Sequence, residues 1–418
     1  MIREVGMDRA ILHCDCNGFF ASVECIQQPR LWDVPMAVCG DPESRHGVIL
    51  AKNELAKGYG VVTAETVWSA RKKCPDLVLV EPHHELYHEY SRKINRIYGQ
   101  YTDQVEAFSV DESWLDVTGS YKLFGSGKQI ADELRVRVQR ELGLTISVGV
   151  SFNKIFAKMG SDYKKPNATT EITRDNYKRL LFPLSVEEMI FVGKSTAAAL
   201  EKVGIRTIGD LAGADVKSLE QLLGKAGPVL WEYANGLEDS PVQVQGAAEA
   251  VKSVSNSITF RRNLVGLEDI RQGLLMLADS VAGRLRAQGL RCQTLSVSIK
   301  DPSLKTISRQ RQLPCASNQT KMIFDTAMEI VQDSWNLRAP IRLLGVAATN
   351  LTTGVAFRQM DFWGSDGEED LRQQRLDKAV DAIRSRFGGD ALRHASLMKS
   401  DIVRERHKNE TEMLPDGE

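Results

Sequence analysis

The stretch Ala107-Phe108-Ser109-Val110-Asp111-Glu112-Ser113-Trp114-Leu115-Asp116-Val117 restricts the fold more than any other part of the chain. Runs of β-branched and aromatic residues flank an acidic pair, Asp111-Glu112, so two strands are expected to meet there. An unpaired charge is expensive in a core. The pair suits a strand junction that faces something positive. A second run, Ala10-Ile11-Leu12-His13-Cys14-Asp15-Cys16-Asn17, reads as an apolar strand ending on an acid. Strand alternation puts Ile11, His13 and Asp15 on one face. If the two regions are neighbours, three carboxylates converge. Such a set of hard oxygen ligands holds divalent metals that act on phosphoryl groups.

The order of elements supplies that neighbourhood. Tyr87, Tyr90, Ile94, Ile97 and Tyr101 recur at helical spacing, as do Ile130, Leu134, Val138 and Leu142 before Gly143. Strands are expected at 9–16, 105–110, 114–117 and 145–150, and the short elements up to Pro82 read as an insertion. Without the insertion the order is strand, helix, strand, strand, helix, strand, the split ferredoxin-like arrangement. Its first and third strands lie side by side, which brings Asp15 to Asp111-Glu112.

Residues 185–236 read as compact helices, and 239–250 as a linker without period. Beyond it, Ile270, Leu274, Leu277, Val281 and Leu285 mark a helix. Strands are expected at 294–299, 306–313 and 341–348, giving a sheet with helices on one face. Leu376, Val380, Ile383 and Phe387 mark a late helix stopped by Gly388-Gly389.

With 418 residues the chain is expected to form several domains, and 42% hydrophobic with 26% charged residues suits a globular protein. No apolar run is long enough to span a bilayer and no signal peptide is visible, so a cytoplasmic location without membrane partners is expected. The seven cysteines lack paired C-x-x-C spacing, which argues against a zinc site or disulfide framework. The formal charge of -1 speaks weakly against nucleic acid, but between Val251 and Leu351 Lys and Arg outnumber Asp and Glu about two to one.

Four stretches together carry a family resemblance. They are His13 to Glu24, Ser109 to Thr118, Phe156-Ala157-Lys158 through Lys164-Lys165-Pro166-Asn167, and Ile341 to Val346. Over about residues 9–357 the chain resembles the Y-family DNA polymerases, and within them the bacterial DNA polymerase IV (DinB) group. The resemblance implies an α+β multidomain fold shaped as a right hand. A ferredoxin-like palm would comprise 1–18 and 83–180, small fingers 19–82, and a helical thumb with helix-hairpin-helix turns 181–240. A linker would follow at 241–251, an α/β little finger at 252–357 and a tail at 358–418.

It also implies roles. Asp15, Asp111 and Glu112, with the Cys16 backbone carbonyl, would hold two Mg²⁺ ions. Phe20 would be the steric gate under the sugar of the incoming deoxynucleotide, with Phe19 beside it, and Lys57 and Lys165 would hold the triphosphate. Two departures stand out: Glu54 replaces the usual Tyr and Lys57 the usual Arg. Gly193, Lys194 and Ser195 resemble a hairpin turn that meets a DNA phosphate, although Phe191 replaces the usual Gly. Arg261, Arg262, Arg309 and Arg311 would meet template phosphates. Gln359-Met360-Asp361-Phe362-Trp363 resembles the peptide that docks bacterial polymerases on the sliding clamp.

The implied activity is template-directed, error-prone translesion synthesis on primer-template DNA by a monomer, without proofreading. The rivals are a non-catalytic DNA- and clamp-binding accessory protein and a nucleotide cyclase on the same palm. His13, His83 and His84 have no ligand spacing and are expected to be structural. Trp68 and Trp114 are expected in the core.

Overall fold

In the computed structural model, which describes residues 8–40, 47–246, 250–354, 366–397 and 401–402, the run ending at the first acid forms β1 (Ile11–Cys16), buried along its whole length. Gly18, at φ 53, turns the chain into α1 (Phe19–Gln27). The insertion comprises β2 (Met36–Cys39), β3 (Ile49–Lys52), α2 (Glu54–Gly58), α3 (Val67–Lys73) and β4 (Val78–Val80). There follow α4 (His84–Tyr98), β5 (Val105–Ala107), β6 (Glu112–Asp116), α5 (Tyr121–Phe124), α6 (Gly127–Leu142), β7 (Ile146–Ser151), α7 (Lys154–Tyr163) and β8 (Thr169–Ile172). Five helices complete the first of two units, residues 1–248: α8 (Tyr177–Leu181), α9 (Lys194–Lys202), α10 (Ile208–Gly213), α11 (Val216–Leu223) and α12 (Ala226–Ala234).

The central sheet runs β5-β6-β1-β7-β8. β1 is antiparallel to both β6 and β7, and β8 adds a parallel edge. This is the ferredoxin-like order with one extra strand. The acidic pair sits at the junction, but β5 stops at Ala107 and β6 begins at Glu112, so both strands are shorter or displaced relative to the sequence expectation.

Alternation on β1 divides its side chains. Leu12, Cys14 and Cys16 enter the core under α4 and α6. Ile11 packs with Trp114 and Ala157 of α7, and His13 reaches Ser161 of the same helix. α7 lies very close to β7: a Cβ at Gly149 would meet the Ala157 carbonyl oxygen at 1.9 Å.

The insertion forms its own sheet, β3-β2-β4, with a small core under α2 and α3. Trp68 of α3 is 69% exposed with Lys72 stacked over its ring, so it is not core as expected. Trp114 is buried and its indole N–H donates to the Lys154 carbonyl. The stretch read as a free linker is pinned to the first unit up to Gly246. Val242 is buried against Ile11 and Trp114, and the backbone N–H groups of Gln243 and Gln245 donate to Glu106 and Asp103.

The second unit, residues 249–418, contains β9 (Ser253–Leu264), α13 (Leu267–Ala287), β10 (Leu290–Lys300), β11 (Thr306–Ser317), α14 (Thr320–Ser334), β12 (Ile341–Thr353) and α15 (Asp366–Phe387). Its sheet runs β11-β10-β12-β9, all antiparallel, with α13 and α14 sharing its core on one face. The sequence reading found neither β9 nor α14. α15 docks through charge: Arg286 pairs with Asp377 and Asp381, and Arg384 with Asp279. Leu376, Ile383 and Phe387, which revealed the helix in sequence, are exposed.

Candidate active site

Hydrogen-bond register brings the acids together. Asp15 of β1 is the direct cross-strand partner of Glu112 of β6, and the Cys16 N–H donates to the Asp111 carbonyl at 3.1 Å. Asp15 is 3% exposed, while Asp111 and Glu112 are half-buried. The Asp111 carboxylate accepts from the Ser109 hydroxyl at 2.7 Å.

α7 delivers the counter-charge. Lys158 Nζ lies 2.9 Å from Asp15 Oδ2 and 3.0 Å from Glu112 Oε1, bridging the two strands. Lys165 Nζ lies 2.7 Å from the same Asp15 oxygen and 2.7 Å from Asp162. Lys165 was expected at the site. Lys158 was not singled out, because among Lys154, Lys158, Lys164 and Lys165 only the seating of α7 on the sheet distinguishes it.

Burial raises the pKa of Asp15, with the two lysines pulling the other way and Glu112 adding to the rise. Burial likewise raises Asp111. Partial burial would raise Glu112 too, but His13 and Lys158 outweigh that cost and hold it down to about 2. His13 is neutral-leaning, its pKa lowered by burial. Its Nδ1 is 2.8 Å from the Ser161 hydroxyl and its Nε2 3.5 Å from Glu112, so it buttresses that acid.

The donor set suits a divalent ion: three carboxylates and a strand-end backbone carbonyl are hard oxygens. The Cys16 thiol points into the core under α4 and α6, on the face of β1 opposite Asp15, so only its backbone carbonyl is placed to contribute. The side chains do not close on one point as they stand. Among the described residues no three ligating side chains meet at metal distance.

Phe20 is half-buried on α1 and stacks on Tyr87. Phe19 is core, 2% exposed among the residues under α4. Lys57 and Glu54 are exposed and paired to each other at 3.3 Å, so the two departures from the family pattern neutralise one another. Another cation, Lys52, lies near Lys57 and donates to the Thr63 hydroxyl. Its pKa is lowered by burial first and by nearby Lys57 second.

Gly193, Lys194 and Ser195 are exposed at the N-terminus of α9, which has no side-chain cap. Phe191 adopts φ 69, a conformation suited to glycine, which explains the residue type it replaces.

The second unit puts the four arginines in different settings. Arg262 is closed by two carboxylates, Asp269 and Asp401. Arg309 and Arg311 share a face, as alternation requires, but they register with Val297 and Leu295, on the side the helices cover. Arg311 is held by Glu329 and Asp333 of α14. Arg309 and Arg261 are exposed. Gln359, Met360, Asp361, Phe362 and Trp363 lie outside the described residues.

A ferredoxin-like sheet with three acids at its central junction defines a nucleotidyl-transfer type of palm. A solved Y-family DNA polymerase chimera shares the fold at a TM-score of 0.72 and 24% identity, covering 82% of this chain and 100% of that one. The impB/mucB/samB family profile matches residues 14–162, and that of its C-terminal domain residues 251–362. DNA polymerase IV of Acetivibrio thermocellus is 46% identical over 94% of this chain and 98% of its own length. The enzyme of the same name from Moorella thermoacetica is 38% identical over 94% and 96%. This chain belongs to the impB/mucB/samB family of Y-family polymerases and, within it, to the DNA polymerase IV group.

Proposed function

We infer that the protein is a DNA-directed DNA polymerase that extends a primer 3′ end on distorted or damaged templates, adding deoxynucleotides without proofreading. Family membership over nearly the whole chain supports the reading. The observation that carries it is the cross-strand pairing of Asp15 with Glu112, with Asp111 at the same junction. The accessory-protein alternative would not need these acids, and all three are present. The linked β9–β12 unit and the helical hairpins are not needed by a cyclase.

The family brings a requirement for divalent metal. The finer reading is two Mg²⁺ ions held by Asp15, Asp111, Glu112 and the Cys16 carbonyl. Bound there, the metal would activate the primer hydroxyl and stabilise the leaving pyrophosphate. The chain's own groups do the rest. Lys165 and Lys158 supply positive charge on the phosphate side of the acids. Phe20 bars a 2′-hydroxyl by steric exclusion. Lys52 and Lys57 offer the fingers' positive charge to the triphosphate, weakened by Glu54.

The palm, fingers, thumb and little finger take the boundaries given above. Gly193, Lys194 and Ser195, with Arg261 and Arg309, are assigned to DNA phosphates. Residues 359–363 are assigned to the sliding clamp. A monomer in the cytoplasm completes the reading, and no described helix is long and apolar enough to cross a membrane.

The test is primer extension with four dNTPs and Mg²⁺, comparing wild type with Asp111→Ala plus Glu112→Ala. Extension by the wild type alone is the expected result. Salt-sensitive binding of primed DNA with no extension by either protein would refute the polymerase reading and favour the accessory protein.

A further inference from the structure

Phe20 is backed by an assembly that none of the roles above uses. Phe20 and Glu24 are four residues apart on α1 and so share a face. α4 lays Tyr87 against that face. The Phe20 and Tyr87 rings are nearly parallel, with centroids 4.1 Å apart and planes at 14°. His84 meets the Phe20 ring edge-on at 5.9 Å. At its far end the Tyr87 hydroxyl donates to Glu24 Oε1 at 2.5 Å, and His83 Nδ1 lies 2.8 Å from the same oxygen.

Glu24 and Tyr87 are each 1% exposed. A carboxylate this deep is costly to hold unless it is fully partnered. An apolar residue would fill the space more cheaply, so the acid calls for a reason. Geometry offers one. A phenolic O–H lies in the plane of its ring, so an acceptor fixed on a helix pins both the position and the plane of the tyrosine. A ring stacked on that tyrosine then has a rigid wall behind it.

We propose that Glu24 is a positioning residue for sugar discrimination: through Tyr87 it fixes a backstop behind Phe20, so that Phe20 cannot retreat from a ribose 2′-hydroxyl. The proposal rests on reading Phe20 as the steric gate. It adds that the gate's stiffness comes from a buried acid that never meets the nucleotide.

The experiment is single-nucleotide incorporation opposite template dG by the full-length protein, reading the ratio of kcat/KM for dCTP over CTP. Phe20→Val calibrates the gate and is expected to lower the ratio about a hundredfold, the equivalent of ~3 kcal/mol of discrimination. Tyr87→Phe keeps the ring and removes the tether. It is expected to lower the ratio about three- to tenfold, on the scale of one hydrogen bond to a charged group. The change should come from faster CTP incorporation, with dCTP nearly unaffected. Glu24→Leu should behave like Tyr87→Phe, while Glu24→Gln, which keeps an acceptor, should retain most of the selectivity.

The proposal is overturned if Phe20→Val loses selectivity while Tyr87→Phe keeps the wild-type ratio or slows both nucleotides equally. Tyr87→Phe alone decides the matter if Glu24→Leu does not fold. If Phe20→Val itself keeps the wild-type ratio, the steric-gate reading fails, and the proposal with it.

Discussion

Lys158 stands between two carboxylates that would otherwise repel each other, and it is largely buried with them. Breaking such a cluster by removing one partner leaves uncompensated charge, at a cost of about 3–5 kcal/mol. Lys158→Met is therefore expected to lower Tm clearly in EDTA. Added Mg²⁺ should recover much of the loss, because a divalent ion can take over the same carboxylates. Calorimetry with and without the metal checks this; an equal Tm deficit in both conditions would count against it. The acids themselves were readable from sequence, since strand alternation and the strand order suffice to place them. Lys158 was not, because its role depends on which turn of α7 meets β1. The partners of Arg262 and Arg311 are hidden in sequence for a related reason: composition shows their charge, but only packing shows the acids beside them.

The seating of α7 is a property of elements. Gly149 on β7 lets the helix backbone approach so closely that an added Cβ would lie 1.9 Å from the Ala157 carbonyl oxygen and 2.5 Å from the Ser161 N–H. Both atoms are backbone, so neither can swing away. Gly149→Ala is expected to destabilise the first unit by about 3 kcal/mol or more through overpacking, and to lose extension activity as Lys158 and Lys165 shift. Denaturant unfolding alongside primer extension checks both effects.

In the second unit the turn from β9 into α13 is held by Asp269, which accepts from Arg262 and from the Val265 N–H. Arg262 first of all holds the Asp269 pKa below its ordinary value, against burial. A depressed acid stabilises the fold above its unfolded pKa and loses that contribution as pH falls through the folded value. Asp269→Asn should thus cost about 1 kcal/mol at pH 7, and the difference from wild type should shrink as the pH is lowered below 4. Urea unfolding at several pH values measures it.

On the scale of the whole molecule, each unit has a core of its own. That of the second runs from Val254 through the α13 and α14 faces to Ile402. Residues 250–402 expressed alone are expected to unfold in one cooperative transition and to show no primer extension, since all three acids lie in the first unit. A non-cooperative melt would show that the second unit depends on the first. Ile402 belongs in such a fragment, because it is buried and its carbonyl accepts from the Arg261 N–H.

The linear sequence determined the acids, the element order around them and the family. Those follow from local periodicity and from spaced motifs that survive without knowledge of contacts. Tertiary structure decided what depends on which faces meet. It sent Phe19 to the core and Phe20 to Tyr87, turned Arg309 and Arg311 to the helix side, exposed Trp68, and pinned residues 242–245 to the palm sheet. Periodicity says that a residue has a side; it does not say what covers it. Burial and charge compensation depend on that cover, and here it comes from elements distant in the chain.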